Sequence, residues 1–299
     1  MQNNNNPYPL LTFFIFAYNQ EAYIAEACKA ALLQDYSPLE IIFSDDCSDD
    51  RTYDIMKTVS ESYQGPHSIK LNRNPQNLGL IDHVNISFQI SSGELIVAAA
   101  GDDVSLKHRV SRIAEAYLAS DRSALVIHSN VRKIDENGYD LGEWIPPVIT
   151  QEMDLGDIAI SLGLYIGATG AWSKKLFEDF GPLYYKNAYE DSTLGFRAAL
   201  TDSLLYINES LVNYRIGIGI SCNKYSLEPF GIYKKLINEY RPQTDVFLQR
   251  KMDLKCIKPE LIGAEKIENL FKNKGSVYWT RKFLRLIHAF FDKKFSKYF

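Results

Sequence analysis

The chain has 299 residues, 46% apolar and 23% charged, the make-up of a globular protein with one full domain and an extension. Its formal charge is −4, yet residues 271–299 hold eight Lys or Arg against the single acid Asp292, so the body before them is acidic and does not read as a nucleic-acid binder. Nothing resembles a secretory signal at Met1–Asn6 or an apolar bilayer span, and Cys28, Cys47, Cys222 and Cys256 lack metal-type spacing, which points to a reducing cytosol.

Taken in order, the chain alternates strand and helix patterns. Leu11–Ala17 is an apolar β-type run, and Asn19 is placed to cap a helix reaching Leu33 with Tyr23, Ile24, Ala27 and Ala31 inward. Glu40–Ser44 reads as a strand, Asp49–Tyr63 as a helix ended by Gly65-Pro66, and Ile69–Asn72 as a strand. A helix follows over Leu80–Ile90, then a strand Leu95–Ala99, a helix Leu106–Ala119 and a strand Ala124–Val131. This alternation predicts an α/β fold with a mostly parallel sheet. After Ile134 the pattern loosens. Asn137-Gly138 is a turn signal, Leu155–Leu162 a short helix, Ala168–Ser173 a strand, and Ala188–Leu200 a helix. Strands are expected at Leu204–Ile207 and Leu211–Ile216, with helix from about Glu228.

Two of these strands stop abruptly at adjacent carboxylates, Asp45-Asp46 and Asp102-Asp103. In a parallel α/β sheet such residues emerge at the carboxyl edge, where ligands bind. Neighbouring carboxylates repel and call for a cation, donors or solvation. Hard oxygens beside a phosphate site suit Mg²⁺ or Mn²⁺.

The ordered series of motifs resembles family 2 glycosyltransferases of the GT-A fold. It runs through Phe14–Glu21, Gln34-Asp35-Tyr36, Glu40–Thr52, Asn77-Leu78-Gly79, Gly93-Glu94, Gly101-Asp102-Asp103, Tyr189-Glu190-Asp191, Leu211–Arg215 and Ser221. The chain departs from the family pattern at Cys47, where glycine often stands, at Ala100, where the metal motif often has an aspartate, and at Gly217, where a histidine often lies.

The resemblance implies a GT-A domain over residues 1–225, with a nucleotide-binding half at about 8–133 and an acceptor half at about 134–225. Residues 226–299 would form a helical extension. It implies a nucleotide-sugar donor, with Ala17, Tyr18, Asn19, Glu21, Asp46, Asp102 and Arg215 around the nucleotide. Asp46 would accept from uracil N3–H and Tyr18 would stack on the base of a UDP-sugar. Asp103 with Asp102 would hold the metal, and Asp191, with Glu190 as the alternative, would take the acceptor's proton.

Each residue has a plainer reading. Asp46 or Asp103 could cap the helix that follows it, Tyr18 could be packing, and Glu190-Asp191 could be acids in a helix's first turn. Arg215 could pair with phosphate or with a structural carboxylate. The expected acceptor is a saccharide, lipid-linked, in O-antigen or capsule assembly. Val277–Phe299 reads as a basic, aromatic amphipathic helix for an anionic membrane surface, placing the enzyme on the inner face of the cytoplasmic membrane, or else as a packed terminal helix. A nucleotidyltransferase or a catalytically silent sugar-nucleotide scaffold are the rival readings.

Overall fold

The computed structural model describes residues 8–146, 153, 155–161, 163–218 and 229–256. Its first half is a four-stranded parallel sheet ordered β3-β2-β1-β4. The strands are β1 (Leu11–Ala17), β2 (Leu39–Asp45), β3 (Ser68–Arg73) and β4 (Leu95–Ala100). Helices α1 (Ile24–Leu32), α2 (Thr52–Glu61) and α3 (Leu80–Ile90) make the crossovers. β2 is buried along its whole length, because helices cover both faces. Alternate side chains feed two cores. Phe13, Ile15, Ile41, Phe43 and Val97 join one. Phe14, Ile42, Ile96 and Ala98 join the other.

Beyond β4 the sheet turns mixed. β8 (Ala171–Ser173) runs antiparallel to β4, and β6 (Val126–Ile134) runs antiparallel to β8. β9 (Leu204–Arg215) is parallel to β6, and the two-residue β5 (Val104–Ser105) closes the order antiparallel to β9. A hairpin through Gly138, at φ 87, adds β7 (Asp140–Trp144) to β6. The expected mostly parallel sheet therefore holds for the first four strands, while the second half mixes both directions.

Several boundaries move for local reasons. The helix expected from Leu106 begins at Arg109 as α4 (Arg109–Ala119), because Val104 and Ser105 are drawn into pairing with β9. The expected strand Ala168–Ser173 is a 3₁₀ turn, Gly167–Thr169, followed by β8. The two strands expected after Leu204 are one, with irregular register where Asn130 meets Ser210 and Val131 meets Val212. Asn19 does not cap α1: the helix starts at Ile24 with no side-chain cap. Instead Asn19 lies at φ 51 and ties two loops together, its N–H donating to Ser48 Oγ and its Oδ1 accepting from Asp49 N–H.

The second half also carries α5 (Leu155–Ile160), α6 (Lys175–Phe180), α7 (Glu190–Leu200) and α8 (Pro229–Cys256). α8 is fastened to the body. Its Asp253 forms a fork with Arg197 of α7, at 2.9 and 3.0 Å, with both side chains fully buried. Gln249 donates to Asp253 and accepts from Tyr184 N–H, and Asp245 accepts from Asn187. No helix of the described residues is long and apolar enough to cross a membrane. The basic tail and Ser221 lie outside the described residues.

Candidate active site

The first acidic pair splits into two tasks. Asp45 is fully buried and holds its own turn, accepting from Ser48 N–H, the Ser48 hydroxyl and Arg73 Nε. That turn puts Cys47 at φ 61, a left-handed conformation that favours glycine. The cysteine found where glycine is usual thus keeps the backbone shape at some strain.

Asp46 does not cap the helix that follows it. Its N–H donates to Ala17 O, and its carboxylate accepts from Asn74 Nδ2 (2.7 Å), Leu78 N–H (3.0 Å) and Gly79 N–H (2.9 Å). Gly79, at φ 80, is the N-cap of α3, so Asp46 ties the end of β2 to that helix. Behind it, Asn74, Asn72, Ser44 and His83 form a hydrogen-bonded chain. Burial lowers His83 to about 4, leaving its ring neutral at pH 7.

Ala17 is buried at the end of β1, and Tyr18 beyond it is half-buried. Glu21 is exposed and accepts from Arg51 N–H, while its own N–H donates to Asp50. The 17–21 and 46–52 loops are thus laced edge to edge at the carboxyl ends of β1 and β2.

Asp102 and Asp103 follow β4 at the same edge. Asp103 is 5% exposed: Oδ1 accepts from Arg215 N–H at 2.8 Å, and Oδ2 has no partner among the described residues. Burial first, then the charge of Asp102, hold Asp103 above the ordinary carboxylate range. Asp102 is also raised by burial, opposed by hydrogen bonds including one from Gln20. A Cβ at Gly101 would lie 2.4 Å from Gln20 Oε1 and 2.9 Å from Ile24 Cδ1, so the glycine lets the α1 loop close over the pair. Among the described residues no three His, Cys, Asp or Glu side chains form a ready metal cage. A buried, unpartnered carboxylate oxygen beside a second carboxylate nevertheless fits a hard cation that completes its shell with water and phosphate oxygens.

Arg215 sits behind this pair. Its Nε donates to Asp102 O, Nη1 to Asp135 O, and Nη2 to Glu26 at 2.7 Å, with Tyr23 under the guanidinium at 4.7 Å. Of the two readings open for it, a carboxylate pairing is made, with Glu26.

Glu190 and Asp191 open α7. Asp191 accepts from Ser192 N–H. A Cβ on Gly167 would fall 2.1 Å from Glu190 Oε1, so the glycine makes room for that carboxyl. Gly170 O accepts Ala98 N–H, and Val97 pairs with Ala171. The 3₁₀ turn Gly167–Thr169 just before β8 packs against β4. Its Gly167 faces Glu190, so the second acidic pair, 87 residues from the first in sequence (103 to 190), lies beside a turn packed on the strand whose end carries the first. Loss of water raises both carboxyls of the second pair, and the charge of Asp191 raises Glu190 further.

Two participants carried no sequence signal, Glu26 beside Arg215 and Arg250 of α8 behind α7, and Gln20 over Gly101 lay in the Phe14–Glu21 motif without a role of its own. Each acts through a tertiary contact with a residue far away in sequence.

The Glycosyl transferase family 2 model matches residues 12–181, more than half of the chain. An uncharacterized glycosyltransferase of Nostoc sp. is 25% identical over 215 residues, 69% of this chain and 64% of that protein. The uncharacterized Rickettsia prowazekii glycosyltransferase RP339 is 25% identical over 244 residues, 77% and 74% of the two chains. Among solved structures, S. aureus TarS superposes with a TM-score of 0.60 at 18% identity, over 88% of this chain and 43% of TarS. A TarS fragment bound to UDP-GlcNAc gives 0.56 at 18%, over 87% and 79%. The mannosyltransferase PcManGT of Pyrobaculum calidifontis, in complex with GDP-Man and Mn²⁺, gives 0.51 at 15%, over 94% and 86%. The chain thus spans less than two thirds of the Nostoc protein and less than half of the longer TarS chain. The strand order, the edge that gathers its acids and the family match agree: this α/β chain has the GT-A fold and belongs to glycosyl transferase family 2.

Proposed function

We propose that the chain transfers a sugar, with inversion and with a divalent cation, from a UDP-sugar to a saccharide hydroxyl. The observation that carries this reading is the presence of two acidic pairs, one at the end of β4 and the other beside the 3₁₀ turn that packs against β4. One pair has a buried carboxylate oxygen without a partner; the other has carboxyls raised toward neutral pH. The donor class is supported by the UDP-GlcNAc and GDP-Man complexes of the structural neighbours.

Asp102 and Asp103 would hold Mg²⁺ or Mn²⁺, which when bound neutralises the departing diphosphate as a Lewis acid. Ala17, Tyr18, Asn19, Glu21 and Asp46 form the nucleotide edge, with Tyr18 as a stacking face and Asp46 as an acceptor for the base. Asp46 reaches that role already oriented by three donors. Arg215 braces the metal loop from behind. Asp191 takes the proton of the acceptor hydroxyl as its oxygen bonds to the anomeric carbon. The bond from that carbon to the diphosphate oxygen breaks, and the nucleoside diphosphate leaves. Glu190 orients the acceptor. We assign the acceptor to the lipid-linked saccharides of O-antigen or capsule assembly, with the basic tail drawing the protein to an anionic membrane face.

Thermal denaturation with UDP tests the donor site. UDP should raise the melting temperature only with Mg²⁺ or Mn²⁺ present, since two phosphates beside two carboxylates repel without a cation. Asp103→Ala should abolish the metal dependence. Equal shifts with and without chelator would remove the metal from the reading.

A further inference from the structure

We propose that Arg250 is a positioning residue, a buried guanidinium delivered by α8 that clamps the first turn of α7 and keeps the charge of the Glu190–Asp191 pair on Asp191. The proposal rests on the assignment of that pair to proton transfer and adds how its two carboxyls are told apart.

Arg250 is fully buried. Its Nε donates to Ser192 O at 3.1 Å, and Nη2 donates to the same carbonyl. Nη1 donates to Ala159 O (2.8 Å) and Ser161 O (2.7 Å), and the guanidinium stacks over Phe196 at 5.0 Å. One side chain thus joins α7, at the residue after Asp191, to the end of α5. Every one of these acceptors is a neutral carbonyl. A buried cation without a counter-charge is costly, so its charge has to be met nearby.

Two carboxylates lie within its field, Asp191 and Asp253. Asp253 is already forked to Arg197 and bonded by Gln249. Asp191 is the one left to answer it. The groups facing Asp191 sort by sign. Ser192 N–H and Gly167 N–H, with Arg250 from α8, favour its anion. Glu190 beside it and the Tyr165 hydroxyl, itself held neutral by burial, supply no positive charge. Among the described residues no such cation acts on Glu190, which is raised by burial first and then by Asp191. Two carboxyls that cannot both ionise cheaply divide the labour when one is given a cation. Asp191 then serves as the base, and Glu190 keeps its proton and can donate to the acceptor.

The first experiment is the pH profile of kcat/KM for transfer in the wild type, Arg250→Lys and Arg250→Gln. The metal-dependent UDP thermal shift is followed in parallel. In Arg250→Gln the acid limb should move to higher pH by on the order of one unit, the scale of a nearby opposite charge. Arg250→Lys should restore part of that shift, and UDP binding should be unchanged in both. A uniform fall in kcat with the limb in place would mean that Arg250 is only structural and would overturn the proposal.

The second measurement needs no Arg250 variant and stands should those variants not fold. A carbon-13 carboxyl titration of the wild-type protein is assigned with Asp191→Asn and Glu190→Gln. Asp191 should ionise first as pH rises; Glu190 ionising first would overturn the proposal. Normal transfer by Asp191→Asn would instead remove the base assignment, while the carboxyl titration repeated in Arg250→Gln would still report on Arg250.

Discussion

The Glu190 and Asp191 carboxyls make opposite demands on activity and stability. Asp191→Asn is nearly isosteric but cannot take a proton, so it should keep metal-dependent UDP binding and lose transfer by on the order of 10²–10⁴-fold in kcat. Glu190→Gln should change stability in a pH-dependent way. The folded protein holds Glu190 up at about 8, above its ordinary 4.5. Folding is therefore favoured by the protonated form, and that advantage is lost as pH rises from about 4.5 through about 8. Denaturant melts should find Glu190→Gln more stable than wild type at pH 8.5 and equal to it near pH 4.5. An unchanged difference across that range would show that the carboxyl is not raised. At this scale the acids were legible, because paired carboxylates at strand and helix ends stand out in a sequence. Their supporters were not: Arg250 lies in a helix of mixed polar and apolar residues, and only its burial against α7 reveals it.

At the scale of elements, the repeating strands and helices up to Ala119 were readable because each crossover repeats one apolar pattern. α3 has the expected bounds, Leu80–Ile90. What escaped was short or defined by its partner. β5 has two residues and exists only because Val104 meets Asn213. α6, of six residues, was not foreseen, and β8 has three residues placed between β4 and β6. Gly93 shows why a small motif can be rigid. It precedes β4, and a Cβ there would stand 2.5 Å from Thr12 N and 2.6 Å from Leu11 C, both backbone atoms of β1 that cannot swing aside. Its N–H donates to Thr12 Oγ1, which in turn donates to the buried Glu40. Gly93→Ala should therefore cost about 1–3 kcal/mol or more in urea unfolding, the range for overpacking a close-packed site. A cost below about 0.5 kcal/mol would mean that β1 and β4 separate there easily.

For the whole molecule, charge divides unevenly between an acidic body and a basic tail. Removing residues after Gly275 should leave UDP binding and the melting transition intact and should weaken sedimentation with anionic vesicles. High salt should weaken it for the intact chain, since each Lys or Arg near such a surface is worth about 1 kcal/mol. Unfolding or aggregation of the shortened chain would make the tail a packed helix instead. The linkage of Asp103 to Arg215 bears on how the protein is made. The four parallel strands are complete by Ala100, but the carboxylate after them receives its backbone donor from a residue 112 positions further on. A growing chain would thus bury its sheet well before it could fix that carboxylate. On the proposed reading of Asp103 as a metal ligand, a chain that stops short of β9 would lack the fixed carboxylate, and its UDP binding would gain nothing from Mg²⁺.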